Sequence, residues 1–594
     1  MSANICSDHQ NVCKHKSEKI SVRNNVNIAK NNASAIRLVS IVLIALFQSH
    51  FVTIVSGVRE SNELRNARED VFSSTSKLEE LVHNEFQVLD LLTTFTEYTI
   101  EKATMIKGYV DNQRRLLGNR KSAKDIVAHP VDAYVLTRRL TADWEDVQLA
   151  LHAVSNYSTG VYSWIGSFRE GSNFPQGDDL NGAAQALVRL QDTYRLNMAS
   201  LTQGVVNPLQ KSVVNSDSIK FEGVEGLTAR DLLFLGKHAY SNGLYHRAIE
   251  WLQGAESVAA KESNGTMLLS EIAPSLQSAI DTHDDILERQ GPQGTGWKTN
   301  PVPINPILSR SAKYNLTVPN TFQTKLFQRQ TEEEETEHYV RLCRGEKLRP
   351  AMMEAQLKCR MKNDGSPYLI VSPLKIEEES HDPYIVIVHD FITEKQADAL
   401  VELGKPKLYR SRHRHHKEGN LDVVSQKRIS KNAWIKDWED KLMIKITRRV
   451  ELVSGLKAFQ PKEAEDYQIA NYGLGGLYVP HTDHLMNNPD KSIYTQWERF
   501  VGDRIATLMI YLTNVGAGGG TVFPRAGVTL RPRKGSAAFW WNLDKSLVGD
   551  ENTRHGACAV LYGDKWVSNK WIRSNEQFLK APCGLHPLDK HKRP

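Results

Sequence analysis

Cysteine is scarce in this chain, with six in 594 residues. That excludes a small scaffold built on disulfides. Glycine (37) and proline (22) are too few and too irregular for a collagen-like chain. An excess of one charge is also missing. Lys plus Arg (75) against Asp plus Glu (69) leaves a net +6. Spread over this length, that is too thin to argue for nucleic acid, and no basic block with interleaved aromatics changes it. Beyond the N-terminal region no apolar run approaches spanning length, so no stable membrane span is expected there. What is present is a 40% hydrophobic fraction with 24% charged residues, which excludes wholesale disorder. The length is about four times a typical domain, so several domains are expected.

The N-terminus speaks to location. Residues 1–37 carry Lys14, Lys16, Lys19, Arg23, Lys30 and Arg37 against only Asp8 and Glu18. An apolar run, Leu38–Phe47, follows. Then come polar Gln48-Ser49-His50, FVTIVSG, and small residues at Ser56 and Gly57. Residues 1–57 therefore read as a secretory signal. A retained signal-anchor is the rival, weakened by the polar interruption. Asn156, Asn264 and Asn315 sit in N-glycosylation tripeptides, which suits a lumenal glycoprotein.

Cys6 and Cys13 precede the expected cleavage point. The remaining four, Cys343, Cys359, Cys558 and Cys583, allow three pairings. The local ones, Cys343–Cys359 and Cys558–Cys583, close short loops and are the expected disulfides. Four free thiols in a reduced compartment is the alternative.

Residues 58–200 read as helical. Leu78, Leu81, Val88, Leu92, Phe95 and Ile106 form one stripe of a long amphipathic helix. A lone helix of this kind is marginal, so the stripe must pack on something. An internal bundle and a dimerising coiled coil both satisfy that. Residues 201–300 contain Leu232, Leu235, Gly236, Ala239, Tyr245, Ala248, Leu252 and Ala255 in the pattern of a tetratricopeptide helix–turn–helix. Tyr240, Tyr245 and Trp251 offer aromatic surface, either to the core or to a groove for an extended, proline-rich peptide. A further helical stretch, Met267–Arg289, matches the repeat poorly. Residues 301–337 read as a linker, whose acidic run Glu332–Glu335 is expected to be a solvated connector. From 338 to 594 the chain turns β-rich. Tyr384–His389, Tyr467–Tyr472, Arg504–Thr513, Thr521–Phe523 and Ala537–Trp541 read as strands of a sandwich or barrel.

The chemistry is carried by His481-Thr482-Asp483. In a strand, residues two apart share a face, so this pair aims an imidazole and a carboxylate at one point. Arg554-His555-Gly556 brings a second imidazole 74 residues on, and Lys565 follows ten residues later. Two His and one carboxylate on one face of a metal leave the other positions open, the arrangement of non-haem Fe(II) oxygenases. Those positions take O₂ and a co-substrate. Lys565 fits as an anchor for the far carboxylate of 2-oxoglutarate, because an ammonium sits poorly in a dry barrel without an anion. On strand alternation His484 faces away from the pair.

These residues carry a resemblance to the α subunit of collagen prolyl 4-hydroxylase. It runs through YQIANYGLGGLYVPHTDH (467–484), DRIATLMIYLTNVGAGGGTVFP (503–524), KGSAAFWWNL (534–543) and TRHGACAVLYGDKWVSNKWIR (553–573). It extends upstream through AHPVDAYVLTRRLTADW (128–144) and AAQALVRLQDTYRLN (183–197). Both local cysteine spacings also resemble that family's two disulfides. The resemblance implies iron ligands His481, Asp483 and His555, with Lys565 and Tyr472 in the 2-oxoglutarate pocket. It implies an α+β multidomain chain: helical dimerisation region, tetratricopeptide-like peptide-binding domain, and double-stranded β-helix (jelly-roll) catalytic domain. It also implies ascorbate as reductant, protein disulfide isomerase as β subunit, α–α dimerisation and the endoplasmic reticulum lumen. Leu477, Thr482 and His484 depart from the family pattern beside the ligands.

The expected function is hydroxylation of proline at carbon 4 in X-Pro-Gly repeats of procollagen-like chains, coupled to decarboxylation of 2-oxoglutarate to succinate. The alternatives are a prolyl hydroxylase for other secreted proline-rich peptides, and a catalytically weak scaffold binding peptide and protein disulfide isomerase.

Overall fold

The computed structural model describes residues 75–591 apart from several breaks, the longest being 119–143, 207–225 and 291–323. The signal sequence, the sequons at Asn264 and Asn315, and the Pro/Gly-rich part of the linker lie outside the described residues. Asn156 lies exposed on the helix Trp144–Gly171. Among the described residues no helix is long and apolar enough to cross a membrane.

The amphipathic stripe forms one helix of 44 residues, Thr75–Gly118. Its inner face meets the helix Trp144–Gly171, where Tyr157 lies 5.9 Å from Phe95 and 5.0 Å from Tyr98, ring to ring. A second apolar set, Val82, Phe86, Leu89 and Ile100, stays exposed. The partner helix thus covers only part of the apolar surface.

The helices Ala229–Ser241 and Tyr245–Ala259 pack as a hairpin, with Leu269–Gln290 beside them. Thr228 and Asp231 close a capping box at the first of these, which satisfies otherwise orphan N–H groups. Gly236 is there because a Cβ would stand 2.7 Å from Leu252 Cγ. Trp251 is fully buried with Leu232, Ala248 and Leu252. This corrects its reading as peptide-facing: the helix turns it into the core. Tyr240 and Tyr245 remain half-buried, edge to face at 5.3 Å.

The C-terminal part holds two main sheets. The larger has nine strands, ordered Cys359–Lys362, Leu374–His381, Tyr384–His389, Ala537–Trp541, Arg504–Tyr511, Lys565–Arg573, Tyr467–Tyr472, Lys431–Ile435 and Tyr409–Arg410, all antiparallel. The smaller has four, ordered Val528–Leu530, Thr521–Phe523, His555–Ala557 and Tyr478–His481. Both faces of the large sheet are covered, so Tyr384–His389 and Ala537–Trp541 read as nearly continuous apolar runs. Along Ala537–Trp541 the faces alternate. Ala537, Phe539 and Trp541 join the core beneath the helices Glu394–Gly404 and Lys441–Ser454, while Ala538 and Trp540 join the core between the sheets.

Helical and β-rich parts are joined by direct contacts. Tyr194 Oη donates to the carbonyl of Ala559 at 2.5 Å. Gly475, at φ +59°, comes so close to the helix Gly177–Tyr194 that a Cβ would sit 2.8 Å from Ala186 Cβ. The acidic run expected as a connector is instead the first turn of a helix, Glu332–Cys343, capped by Thr331 and Glu334. Negative charge suits a helix N-terminus, and Glu335 has a further use described below.

The disulfide is Cys343–Cys558, not the two local pairs. Cys343 ends the buried face of the helix Glu332–Cys343, and Cys558 is buried just past the strand His555–Ala557. Cys359, on the edge strand, and Cys583 are exposed and free. Packing of a helix on the small sheet decides the pairing, across 215 residues of sequence.

Candidate active site

His481 and His555 are register partners on adjacent strands of the small sheet. The strand Tyr478–His481 ends at the histidine, so Asp483 is not in a strand as the sequence reading requires. It arrives by a turn. The amides of Leu485 and Met486 then donate to the Asp503 carboxylate, folding the chain back. The three side chains nevertheless converge, with ligand atoms within 4.8 Å of one another. His484 is buried beside Gly549 and Glu551, outside this cluster.

The local hydrogen bonds fit a metal rather than an ion-pair cluster. His481 Nδ1 lies 3.0 Å from the Val479 carbonyl, and His555 Nδ1 lies 3.0 Å from the Thr553 carbonyl. A carbonyl accepts only, so both Nδ1 atoms are assigned the proton and both Nε2 atoms a lone pair. Those Nε2 atoms stand 3.8 and 3.7 Å from the Asp483 oxygens, too far for hydrogen bonds. Two lone pairs and a carboxylate therefore face one gap, the donor set of a divalent cation.

Asp483 is fixed from behind. Thr507 Oγ1 donates to its Oδ2 at 2.7 Å, and Asn542 Nδ2 donates to Thr507 Oγ1 at 2.8 Å. Burial opposes ionisation of Asp483, but the fields of His555, His481 and Arg504 and the Thr507 hydroxyl outweigh it and hold its pKa at about 2. Burial, then the field of His555, pushes His481 well below its ordinary value. Both keep the ligand set in its metal-binding protonation state. The sequence reading missed Thr507 and Asn542; a hydroxyl and an amide on neighbouring strands give no spacing signal.

The cluster opens into a cavity of about 180 Å³ lined by Tyr472, Met509, Thr521, Trp540, Lys565 and Val567 among others, with Trp434, Leu485 and Trp571 also in its wall. Lys565 pairs in register with Tyr472 and lies 5.5 Å over its ring. Its Nζ donates to the Gly519 carbonyl at 2.6 Å, near Thr521 Oγ1 at 3.5 Å. The ammonium is buried and meets no carboxylate among the described residues. Burial alone brings its pKa down to about 7. An anion entering the cavity would reverse that. The site residues expected on the catalytic side, His481, Asp483, His555, Lys565 and Tyr472, thus line one cavity, whereas Tyr240, Tyr245 and Trp251 lie in the helical part.

Arg554, next to His555, is held by a fork from Glu335, at 2.6 and 2.9 Å, and donates to the Pro480 carbonyl at 2.8 Å. The acidic run therefore clamps both histidine strands. Leu477 is buried in the core shared with the helical part, and Thr482 lines the cavity.

The fold and this cluster define an Fe(II)- and 2-oxoglutarate-dependent oxygenase, and residues 467–573 match the 2OG-Fe(II) oxygenase superfamily. Residues 74–208 match the prolyl 4-hydroxylase alpha-subunit N-terminal region. Prolyl 4-hydroxylase subunit alpha-2 of Gallus gallus is 33% identical over 552 residues, 88% of this chain and 97% of the relative. Subunit alpha-1 of Caenorhabditis elegans is 30% identical over 552 residues, 88% and 91% of the two chains. Among solved structures, a viral collagen prolyl hydroxylase from Paramecium Bursaria Chlorella virus-1, in its 2OG complex, is 25% identical over 32% of this chain and 96% of its own, with a TM-score of 0.25. The chain belongs to the prolyl 4-hydroxylase alpha-subunit family.

Proposed function

We propose that the chain hydroxylates carbon 4 of proline in X-Pro-Gly repeats of procollagen-like substrates. The observation that carries the reading is one buried cavity holding both a two-His, one-carboxylate donor set and a lysine with no anion. Family membership supplies the prolyl specificity. His481 and His555, through Nε2, and Asp483 would hold Fe(II). Lys565 would take the far carboxylate of 2-oxoglutarate, with Tyr472 beside it. The bound iron and 2-oxoglutarate supply the oxidising chemistry, with O₂ consumed and succinate and CO₂ released.

The chain's own part is positioning and dryness. The carbonyls of Val479 and Thr553 fix both imidazole tautomers. Thr507 orients Asp483. Phe523 and Trp540 pack against His555 at 5.4 and 4.8 Å and exclude water from that side. In the cavity wall Trp434 lies 6.1 Å from Trp571, an apolar surface suited to proline rings. Ascorbate serves as the reductant that restores iron after uncoupled turnovers.

In the same reading, the hairpin 229–259 is tetratricopeptide-like and offers Tyr240 and Tyr245 to an extended peptide, and the two-sheet domain is a jelly roll. The exposed set Val82, Phe86, Leu89 and Ile100 packs on a second copy of the chain. Protein disulfide isomerase is the β subunit, and the assembled, glycosylated protein works in the endoplasmic reticulum lumen after signal cleavage. The test is turnover by the co-expressed complex of (Pro-Pro-Gly)ₙ against glycine-free polyproline. Hydroxylation of the first is expected. Preference for the second redirects the proposal to other proline-rich peptides, and no CO₂ release with either leaves a scaffold.

A further inference from the structure

A second cavity, about 560 Å³ in volume, lies between the segment Arg195–Gln203 and the helix Tyr245–Ala259, away from His481, Asp483 and His555. Its charged lining is Arg195, Arg247, Lys261 and Glu250. The single acid is already engaged. Glu250 Oε2 accepts from Gln191 Nε2 at 2.6 Å and from Arg247 Nη1 at 2.8 Å. Behind the wall, Asp192 Oδ1 accepts from Arg247 Nε at 3.0 Å, with His246 Nε2 at 3.7 Å.

Two carboxylates thus hold one guanidinium rigid, and one of its nitrogens is left over. Arg247 is 4% exposed, and its Nη2 is buried with no hydrogen-bond partner. A buried charged donor left unmade is costly, so it is retained where something else meets it. Arg195 adds a second cation. Its Nε is likewise buried and unpartnered, and its backbone is held at φ +51°. No carboxylate pairs with Arg195 or Lys261 among the described residues. Burial, and then the neighbouring Arg344, lowers the Arg195 pKa against the opposing fields of Glu346 and Glu337.

The remaining lining is mixed. Asn197, Gln203 and Gln253 offer amides, Ser257 a hydroxyl, and Met198 and Val258 apolar contact. That combination suits an extended peptide with one acidic side chain: amides for its backbone, guanidinium groups for its carboxylate.

Position adds to this. Tyr245 starts the same helix, so the cavity and the aromatic groove proposed above share one element. Arg195 follows Tyr194, whose hydroxyl is bonded to Ala559 of the catalytic part.

We propose that this cavity is a carboxylate-binding site, filled by an acidic residue of a bound proline-rich peptide. It goes beyond the catalytic reading and is tested by binding, without turnover. The probes are a fluorescent proline-rich peptide carrying glutamate, its glutamine twin, and citrate as a small carboxylate, each titrated against the full co-expressed complex. The glutamate peptide should bind about tenfold more tightly than its twin, the worth of one charge-assisted contact. That gain should shrink as salt rises.

Arg247→Gln would strand Asp192 and Glu250 in the interior and is a poor test. Arg195→Asn, which tolerates the left-handed backbone, and Lys261→Gln are the working variants. Together they should remove the glutamate advantage and leave the glutamine twin's affinity unchanged. Citrate binding that depends on Arg195, with the two peptides tied, keeps the site and assigns it to a free carboxylate. Equal binding of both peptides, with citrate indifferent to Arg195→Asn, overturns the proposal.

Discussion

His481 and His555 face each other across two antiparallel strands, ring centroids 4.4 Å apart, each with Nδ1 tied to a carbonyl two residues earlier. The strand pairing therefore sets both ligand positions and both tautomers at once. Asp483 is the only member of the trio delivered by a turn, and it is the one braced by a side chain, Thr507.

That brace makes a first prediction. Thr507→Val removes the hydrogen bond without touching a ligand. Loss of such an outer partner should weaken metal binding about 10- to 100-fold. Titration with Co(II), followed by its visible spectrum, checks this. His481→Ala should abolish both the spectrum and turnover. Unchanged metal affinity in Thr507→Val would show that Asp483 needs no support.

Lys565 gives a pH prediction. Its pKa near 7 without ligand means the ammonium fraction falls about tenfold per unit as pH rises above 7. A dianion binds the ammonium form, so 2-oxoglutarate affinity should be full below 7 and decline as pH climbs past it. Lys565→Arg, always charged, should abolish the decline whatever its absolute affinity. Lys565→Ala should bind weakly at every pH. Anaerobic 2-oxoglutarate titration of the metal-loaded complex from pH 7 to 9 reads all three. A decline that persists in Lys565→Arg would assign it to another group.

The disulfide is decided by mapping. Non-reducing digestion should yield a cross-linked peptide joining Cys343 to Cys558. Cys343→Ser or Cys558→Ser should cost about 2–5 kcal/mol of stability, read as a lowered Tm. Cys359→Ser and Cys583→Ser should leave Tm nearly unchanged, both being exposed. Recovery of Cys343–Cys359 and Cys558–Cys583 peptides instead would contradict the packing described.

The aromatic residues of the helical part should separate by role. Trp251→Ala should destabilise by about 3–5 kcal/mol, as for a buried large side chain. Tyr245→Ala should leave Tm close to the parent's and raise the KM for peptide with kcat kept. Thermal melts and peptide kinetics on the two variants check this. A peptide effect from Trp251 without destabilisation would place it in the groove after all.

Much of this was legible in the sequence. Tyr384–His389, Tyr467–Tyr472, Thr521–Phe523 and Ala537–Trp541 are strands with the expected bounds, because short runs rich in β-branched and aromatic residues between turn signals favour strands. That His481, Asp483, His555 and Lys565 meet in one cavity was legible, because few chemistries use that set. What was not legible depends on contacts far apart in the chain. Cysteine pairing follows which helix packs on which sheet, not loop length. Trp251 looks identical in sequence whether it faces core or groove. Glu332–Glu335 reads as solvated charge until Arg554, over two hundred residues on, is brought to Glu335. Asp483 escapes strand alternation because the strand stops at His481.

The most direct measurement of the central claim is mass spectrometry of (Pro-Pro-Gly)ₙ incubated with the co-expressed complex, Fe(II), 2-oxoglutarate, ascorbate and O₂. The peptide should gain the mass of one oxygen per modified proline, fragmentation should place it on carbon 4, and one succinate should form per oxygen gained. His481→Ala and Lys565→Ala complexes should leave the peptide unmodified under the same conditions. An unmodified peptide with the parent complex, or normal modification by either variant, would contradict the assignment of these side chains to the reaction.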